Sequence, residues 1–221
     1  MEKIIHGDCM PILREMENNS IDLTVTDIPY GEVNRKSNGL RNLDKGEADI
    51  VNFDLNELVD QLCRITKGSI YMFCSTEQVS GIRKRMIEKG LVTRHGVWVK
   101  SNPPVLNGKT TWLSGIENIV FGKKSGATFN EYCKPLVLYH PVGSSKRHPT
   151  EKPIAIIKRM IAASSNPGDI VLDPFLGSGT TAVAAHELQR QYIGIELNET
   201  YYKIAEKRIK EQTAQISFWD L

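Results

Sequence analysis

Apolar positions along this chain fall into two alternating rhythms, short runs with period two and longer stretches with a helical period. Residues 4–8 form a brief apolar run closed by Gly7-Asp8, which predicts a strand and its turn. Pro11, Ile12, Leu13 and Met16 follow at helical spacing, with the proline near the first turn, where its missing N–H is not needed. Residues 21–27 alternate apolar and polar side chains, as a strand does. Asp54 and Glu57 have capping-box spacing ahead of Leu55, Leu58, Val59, Leu62 and Ile65, which share one helical face. Residues 69–74 read as a strand. Ser75 or Thr76 then caps a helix with Val79, Ile82, Met86 and Ile87 inward and Gly90 at its end. Further strands are expected at 97–99 and 119–121, and Pro153 opens a helix with Ile154, Ile157, Met160 and Ile161 inward. Residues 170–172 and 192–197 complete the strands, each followed by a helix.

Strands alternating with helices almost throughout predict an α/β protein with a mostly parallel sheet. Two stretches break the rhythm. Residues 31–52 are polar, rich in Gly and Asn and without period, and read as a long mobile loop. Residues 123–147 hold one strand candidate, at 136–139, and read as a short insertion. At 221 residues the chain can bury a sizeable core, so one domain spanning 1–221 is expected.

Charge adds little. Lys and Arg total 28 against 26 for Asp and Glu, and a net charge of +2 does not by itself point to a polyanionic partner. The basic groups at 83–85, 123–124 and 146–148 are short and separate, and each alone reads as a solvated face. Cys9, Cys63, Cys74 and Cys133 show no CxxC and no metal-ligand spacing, so no metal is expected and the thiols read as reduced and structural. With no secretory signal and no membrane-spanning run, a soluble cytoplasmic protein is expected.

The chemistry gathers at two strand ends. Residues 170–172 run into Asp173-Pro174-Phe175-Leu176-Gly177-Ser178-Gly179-Thr180-Thr181, and a helix follows. Glycines there let a ligand approach the backbone, and the helix start offers unpaired N–H groups, so the crevice suits a nucleotide-like cofactor. A glycine turn alone also serves merely to reverse a chain. One unit later the next strand ends at Glu196-Leu197, about twenty positions on, where an acid suits ribose hydroxyls. Taken singly, Glu196 also fits a surface acid favouring the following helix dipole.

Asp27-Ile28-Pro29-Tyr30 ends another strand and points into the same crevice. An exocyclic amine on a planar base is a poor nucleophile, because its lone pair is delocalised into the ring. The Asp27 carboxylate and the Ile28 carbonyl can each accept an N–H and turn that lone pair toward an electrophile. Pro29 restricts Ile28 to an extended conformation, and Tyr30 offers a ring on which a base can stack. By themselves these four residues also fit a plain strand-to-turn junction.

Together these segments resemble the S-adenosylmethionine-dependent DNA amino-methyltransferases in their permuted, beta-class order. That family places Asp-Pro-Pro-Tyr early and Asp-Pro-Phe-x-Gly-Ser-Gly-Thr-Thr late, as here. The match extends to Gly7-Asp8, to 98–103 (Trp-Val-Lys-Ser-Asn-Pro) and to 148–153 (His-Pro-Thr-Glu-Lys-Pro), spanning residues 4 to 209. The resemblance implies a Rossmann-like methyltransferase fold, with a mostly parallel seven-stranded sheet and an antiparallel edge hairpin. It assigns S-adenosylmethionine to Asp8, Cys9, His148, Thr150, Lys152, Pro153, Asp173, Pro174, Phe175, Gly177, Ser178, Gly179, Thr180, Glu196 and Leu197. It assigns catalysis to Asp27, Ile28, Pro29 and Tyr30, and the target base to Tyr30, Lys100, Asn102 and Pro103. Asp rather than Ser at the first motif position points to N6 of adenine, with N4 of cytosine as the alternative. No cysteine sits in the Pro-Cys turn that carbon methylation of cytosine would need. Double-stranded DNA is the implied partner, read in part by residues 123–147, in a bacterial or phage-infected cell beside the nucleoid. Homodimers are common in the family, and restriction-modification is one of its settings. At Ile28 the family has proline. The carbonyl survives that change while the fixed φ is lost, so activity is expected to be retained. A catalytically silent DNA-binding homologue is the rival from another class.

Overall fold

The computed structural model describes residues 2–30, 53–105, 109–143 and 151–217. The loop expected at 31–52 lies outside them, as do His148 and Thr150. In chain order the elements are β1 (Lys3–His6), α1 (Cys9–Glu15), β2 (Ile21–Asp27), α2 (Leu55–Ile65), β3 (Thr66–Cys74), α3 (Thr76–Glu88) and β4 (Val92–Lys100). There follow β5 (Ile116–Lys123), β6 (Val137–His140), α4 (Ile154–Ser164), β7 (Ile170–Asp173), α5 (Thr180–Glu187), β8 (Gln191–Glu196) and α6 (Glu199–Ser217).

The sheet runs β1-β8-β7-β2-β3-β5-β4-β6. Every neighbour pair from β1 to β3 is parallel, β5 is antiparallel to both β3 and β4, and β6 lies parallel to β4. This is one strand more than the expected seven. The extra one is β6, whose four residues pair with the outer side of β4 from Val97↔Val137 to Lys100↔His140. Its pairing partner is remote in sequence, so its apolar run alone did not place it in the sheet.

Helices cover both faces. Leu23, Val25, Tyr71, Phe73 and Val171 pack under Ile157, Met160 and Ile161 of α4 and the alanines of α5. On the other face Ile70, Met72, Leu172 and Ile193 meet Leu13 of α1, Leu58 and Leu62 of α2, and Ile82 and Met86 of α3. A strand buried on both sides reads as an unbroken apolar run, as β3 does from Ile70 to Cys74. Asp54 caps α2 as its spacing predicts, accepting the Glu57 N–H at 2.9 Å. Ile87 does not join the core. It is 55% exposed, because at about 100° per residue it lies roughly a quarter-turn from buried Met86. After β5 the chain is pinned to α4: Asn130 Nδ2 donates to Ala162 O and Ser165 O, and Glu131 takes the Arg159 guanidinium at 2.8–3.1 Å.

Candidate active site

β2 and β7 are far apart in sequence yet side by side in the sheet, so Asp27 and Asp173 finish adjacent strands at one edge. Thr26 Oγ1 joins them, donating to Asp173 Oδ1 at 2.9 Å. β5 runs the opposite way, so its start, Glu117, stands at the same edge. These ends surround one cleft, which the tips of β1 and β8 extend. Its lining includes Asp8, Cys9, Asp27, Ile28, Pro29, Tyr30, Lys152, Asp173, Pro174, Phe175, Gly177, Ser178, Thr180, Glu196 and Leu197. Fifteen residues singled out from sequence thus meet in one place.

The glycine turn is built as its composition requires. Gly177 has φ +56° and Gly179 has φ +85°, a conformation that side chains disfavour. A Cβ on Gly179 would also stand 3.2 Å from Ala205 Cβ. Glu196 closes the turn, its carboxylate accepting Gly177 N–H at 2.7 Å and Asn198 N–H at 2.8 Å. Asp8 caps α1 through Met10 N–H at 2.9 Å.

Asp27 is held from two sides. Tyr30 Oη donates to its Oδ1 at 2.7 Å, and Lys152 Nζ stands 2.5 Å from Oδ2. Ile28 is not a loosened proline site. Its side chain is 1% exposed and packed against the α1–α2 face, and its N–H donates to Phe73 O at 3.3 Å. A proline there would have neither the donor nor the aliphatic branch. Gln78 of α3 secures the next residue, donating from Nε2 to Pro29 O at 3.3 Å. Restoring the family residue with Ile28→Pro is therefore expected to destabilise the fold. The lost bond and the vacated core volume together amount to about 2–4 kcal/mol, or a Tm lower by about 10 °C. Differential scanning calorimetry would contradict this if the variant melted at or above wild type.

Burial sets the protonation states here. It pushes the Cys9 and Cys74 thiols up to about 12, so both are neutral and inert at pH 7. It also pushes the Asp173 carboxyl up to about 6, against the hydrogen bonds from Thr181, Thr26 and Phe175 N–H, with the Asp27 charge adding to the rise. An unfolded aspartate titrates near 3.9, so folding binds a proton between the two values. Stability from this group is full below about pH 4 and is lost as pH climbs through about 6, by about 3 kcal/mol. Asp173→Asn keeps the accepting Oδ1 without the charge. Its Tm advantage over wild type is expected to grow from pH 4 to pH 7, and a pH-independent difference would refute the assignment.

Lys100, Asn102, Pro103, Pro153 and Gly179 are outside the cleft lining. Lys100 Nζ pairs with Glu117 at 2.8 Å, and Asn102 Oδ1 accepts Val142 N–H at 2.5 Å, tying the end of β4 to the segment after β6. Conversely, Glu117 and Phe53 line the cleft, Phe53 with its ring 5.2 Å from that of Phe175, and neither was singled out from sequence. Among the described residues no cluster of acids, histidines and cysteines could hold a metal, and no helix is long and apolar enough to cross a membrane.

A family model for DNA methylase (N6_N4_Mtase) matches residues 21–207, which includes both strand-end motifs. The chain belongs to the DNA methylase family. Among curated relatives of this DNA methylase is the type II methyltransferase M.HpaI of Haemophilus parainfluenzae, 30% identical across 96% of this chain and 75% of the relative. DNA adenine methyltransferase YhdJ of Escherichia coli K12 is also 30% identical, over 93% of this chain and 82% of its own. The solved M1.HpyAVI–SAM complex superposes with a TM-score of 0.74 at 32% identity, covering 95% of this DNA methylase and 99% of that chain. The cytosine-N4-specific PvuII methyltransferase shares the fold, at TM-score 0.72 and 18% identity.

Proposed function

We propose that this DNA methylase transfers the methyl group of S-adenosylmethionine to the N6 amino group of adenine in double-stranded DNA. The observation that carries the reading is the shared cleft, in which a held carboxylate, Asp27, opens onto the glycine turn and Glu196. The charge of the lining chooses between ligands for that turn. Among the described residues, Asp8, Asp27, Glu117, Glu151, Asp173 and Glu196 border the cleft against one ammonium, that of Lys152. A dinucleotide pyrophosphate would be repelled there. S-adenosylmethionine, with a sulfonium and an ammonium against one carboxylate, carries net positive charge and suits it. We assign its ribose hydroxyls to Glu196, its purine to Asp8 and its methionine end to the segment 148–153.

The target adenine leaves the helix at a cost of a few kcal/mol and stacks on Tyr30. Its N6–H groups donate to Asp27 and to the Ile28 carbonyl. The N6 lone pair attacks the sulfonium methyl carbon, and the C–S bond breaks with its electrons going to sulfur. S-adenosylhomocysteine leaves, and N6 passes one proton to solvent. Adenine rather than cytosine is favoured by Asp at position 27 and by the adenine methyltransferase among the relatives. We assign reading of the flanking bases to residues 123–147 together with the loops at 31–52 and 102–115, and place the protein in the cytoplasm beside the nucleoid.

The test is to incubate the protein with labelled S-adenosylmethionine and unmethylated bacterial DNA, digest, and identify the labelled nucleoside. N6-methyl-2′-deoxyadenosine is expected. Label on N4 of cytosine would overturn the base assignment, and absence of label would overturn the activity.

A further inference from the structure

Lys152 belongs to a segment that the family resemblance assigns to the cofactor, and within the cleft its ammonium is turned onto Asp27 and Glu117. Only 6% exposed, its ammonium stands 2.5 Å from Asp27 Oδ2 and 3.1 Å from Glu117 Oε2. It also lies over two aromatic faces, 5.2 Å from the Phe73 ring centroid and 5.7 Å from that of Tyr30. The other Glu117 oxygen meets Lys100 Nζ at 2.8 Å, and that ammonium lies 5.4 Å from the Trp98 ring centroid. Asp27, Lys152, Glu117 and Lys100 therefore form a row of alternating charges, neutral as a whole, beneath the place proposed for the target base.

We infer that Lys152 and Glu117 are positioning residues for methyl transfer: Lys152 fixes the plane of the Asp27 carboxylate, and Glu117 holds Lys152 in place. This rests on the reading of Asp27 as the acceptor of the target amine. The need is physical. The last torsion of an aspartate is broad, and in-line attack tolerates little misplacement of the nitrogen. Lys152 on Oδ2 and Tyr30 on Oδ1 leave one orientation. The ammonium also keeps Asp27 an acceptor. Burial pushes the Asp27 carboxyl up, Lys152 pulls it down, and Glu117 pushes it up again. A protonated Asp27 would present an O–H toward N6 where a lone pair is required. Burial alone would discharge Lys152, but the two carboxylates outweigh it and hold the ammonium above its ordinary value. In turn Lys152 and Lys100 hold Glu117 below its ordinary value despite burial.

Opposite substitutions give opposite signs, which a merely structural role would not. Among the described residues, the charged and titratable groups around Asp27 are Lys152 and Tyr30 in direct contact, Glu117 at the start of β5, Asp173 at the end of β7 and the Cys74 thiol of β3. Lys152→Met removes the cation that lowers Asp27, so the acid limb of the kcat profile is expected to move to higher pH. Glu117→Gln removes an anion that raises Asp27, so its acid limb is expected to move to lower pH. In Lys152→Met, kcat at pH 7 is expected to fall about 100-fold, with part of the loss recovered toward pH 9. The dissociation constant for S-adenosylmethionine, read by calorimetry, is expected to stay within about threefold of wild type.

The measurements use the full chain, with wild type and Asp27→Ala as references. An unchanged acid limb in both variants, or a Lys152→Met variant that loses cofactor affinity while keeping kcat, would overturn the inference. Should Lys152→Met not fold, the near-isosteric Glu117→Gln carries the same sign test. The proposed activity fails by a different result: wild type without transfer, or Asp27→Ala with undiminished turnover.

Discussion

Asp27→Ala is expected to lower kcat by at least about 100–1000-fold while the affinity for S-adenosylmethionine stays within a few-fold of wild type. The magnitude is that of removing one preorganised hydrogen-bonding group from a transition state. The split follows from geometry. Asp27 ends β2, whereas Glu196 and the glycine turn belong to the β7–β8 side of the cleft. The nitrogen gains positive charge as its bond to the methyl carbon forms, so the carboxylate stabilises the transition state more than the bound base. Single-turnover kinetics beside a calorimetric titration would check this. Equal turnover would remove Asp27 from the chemistry, and a lost cofactor heat signal would show that the variant disrupts the cleft itself.

Glu196→Ala is expected to act in the other direction, raising the cofactor dissociation constant by about 10–100-fold with a smaller change in kcat at saturating cofactor. A hydrogen bond to a charged group is worth about 1.5–3 kcal/mol, which converts to that range. Glu196 does two things at once. It presents a carboxylate to the cleft, and it holds Gly177 N–H at 2.7 Å, so its loss also frees the turn. Glu196→Gln separates the two in part, because its amide oxygen can still accept Gly177 N–H while the charge and the bond from Asn198 N–H are lost. Affinity intermediate between wild type and alanine is expected. Unchanged affinity in both variants would remove Glu196 from the cofactor site.

What was legible in the chain was local. Asp27 and Asp173 each close an apolar run at a turn, and strand ends in an open α/β sheet face the ligand crevice, so both announce themselves within a dozen residues. Glu117 could not. Its place comes from β5 running against its neighbours, which brings the start of a strand to the edge where the others finish. Lys152 was marked as a site residue, but its partners sit on β2 and β5, so no spacing around 148–153 reveals them. Ile28 looked like a loosened turn because only its φ was weighed. The buried side chain and the bond to Phe73 O are properties of the fold. β6 and Ile87 fell on the same boundary, the first needing a remote pairing partner and the second a quarter-turn of helix geometry that a count of apolar positions passes over.

The hydrogen bond from Thr26 to Asp173 spans most of the chain. Its two strands are neighbours in the sheet, yet a ribosome makes one early and the other late. Until β7 emerges, the growing chain has the turn that would grip an amine but no crevice for the methyl donor. On the proposed assignment, a product terminated before β7 lacks the glycine turn and the Glu196 ascribed to S-adenosylmethionine. The cleft is complete only when the late-made β7 and β8 join the early strands, and loops closed over that separation form slowly. For a protein that writes covalent marks on DNA, the order of synthesis itself withholds the chemistry from incomplete copies.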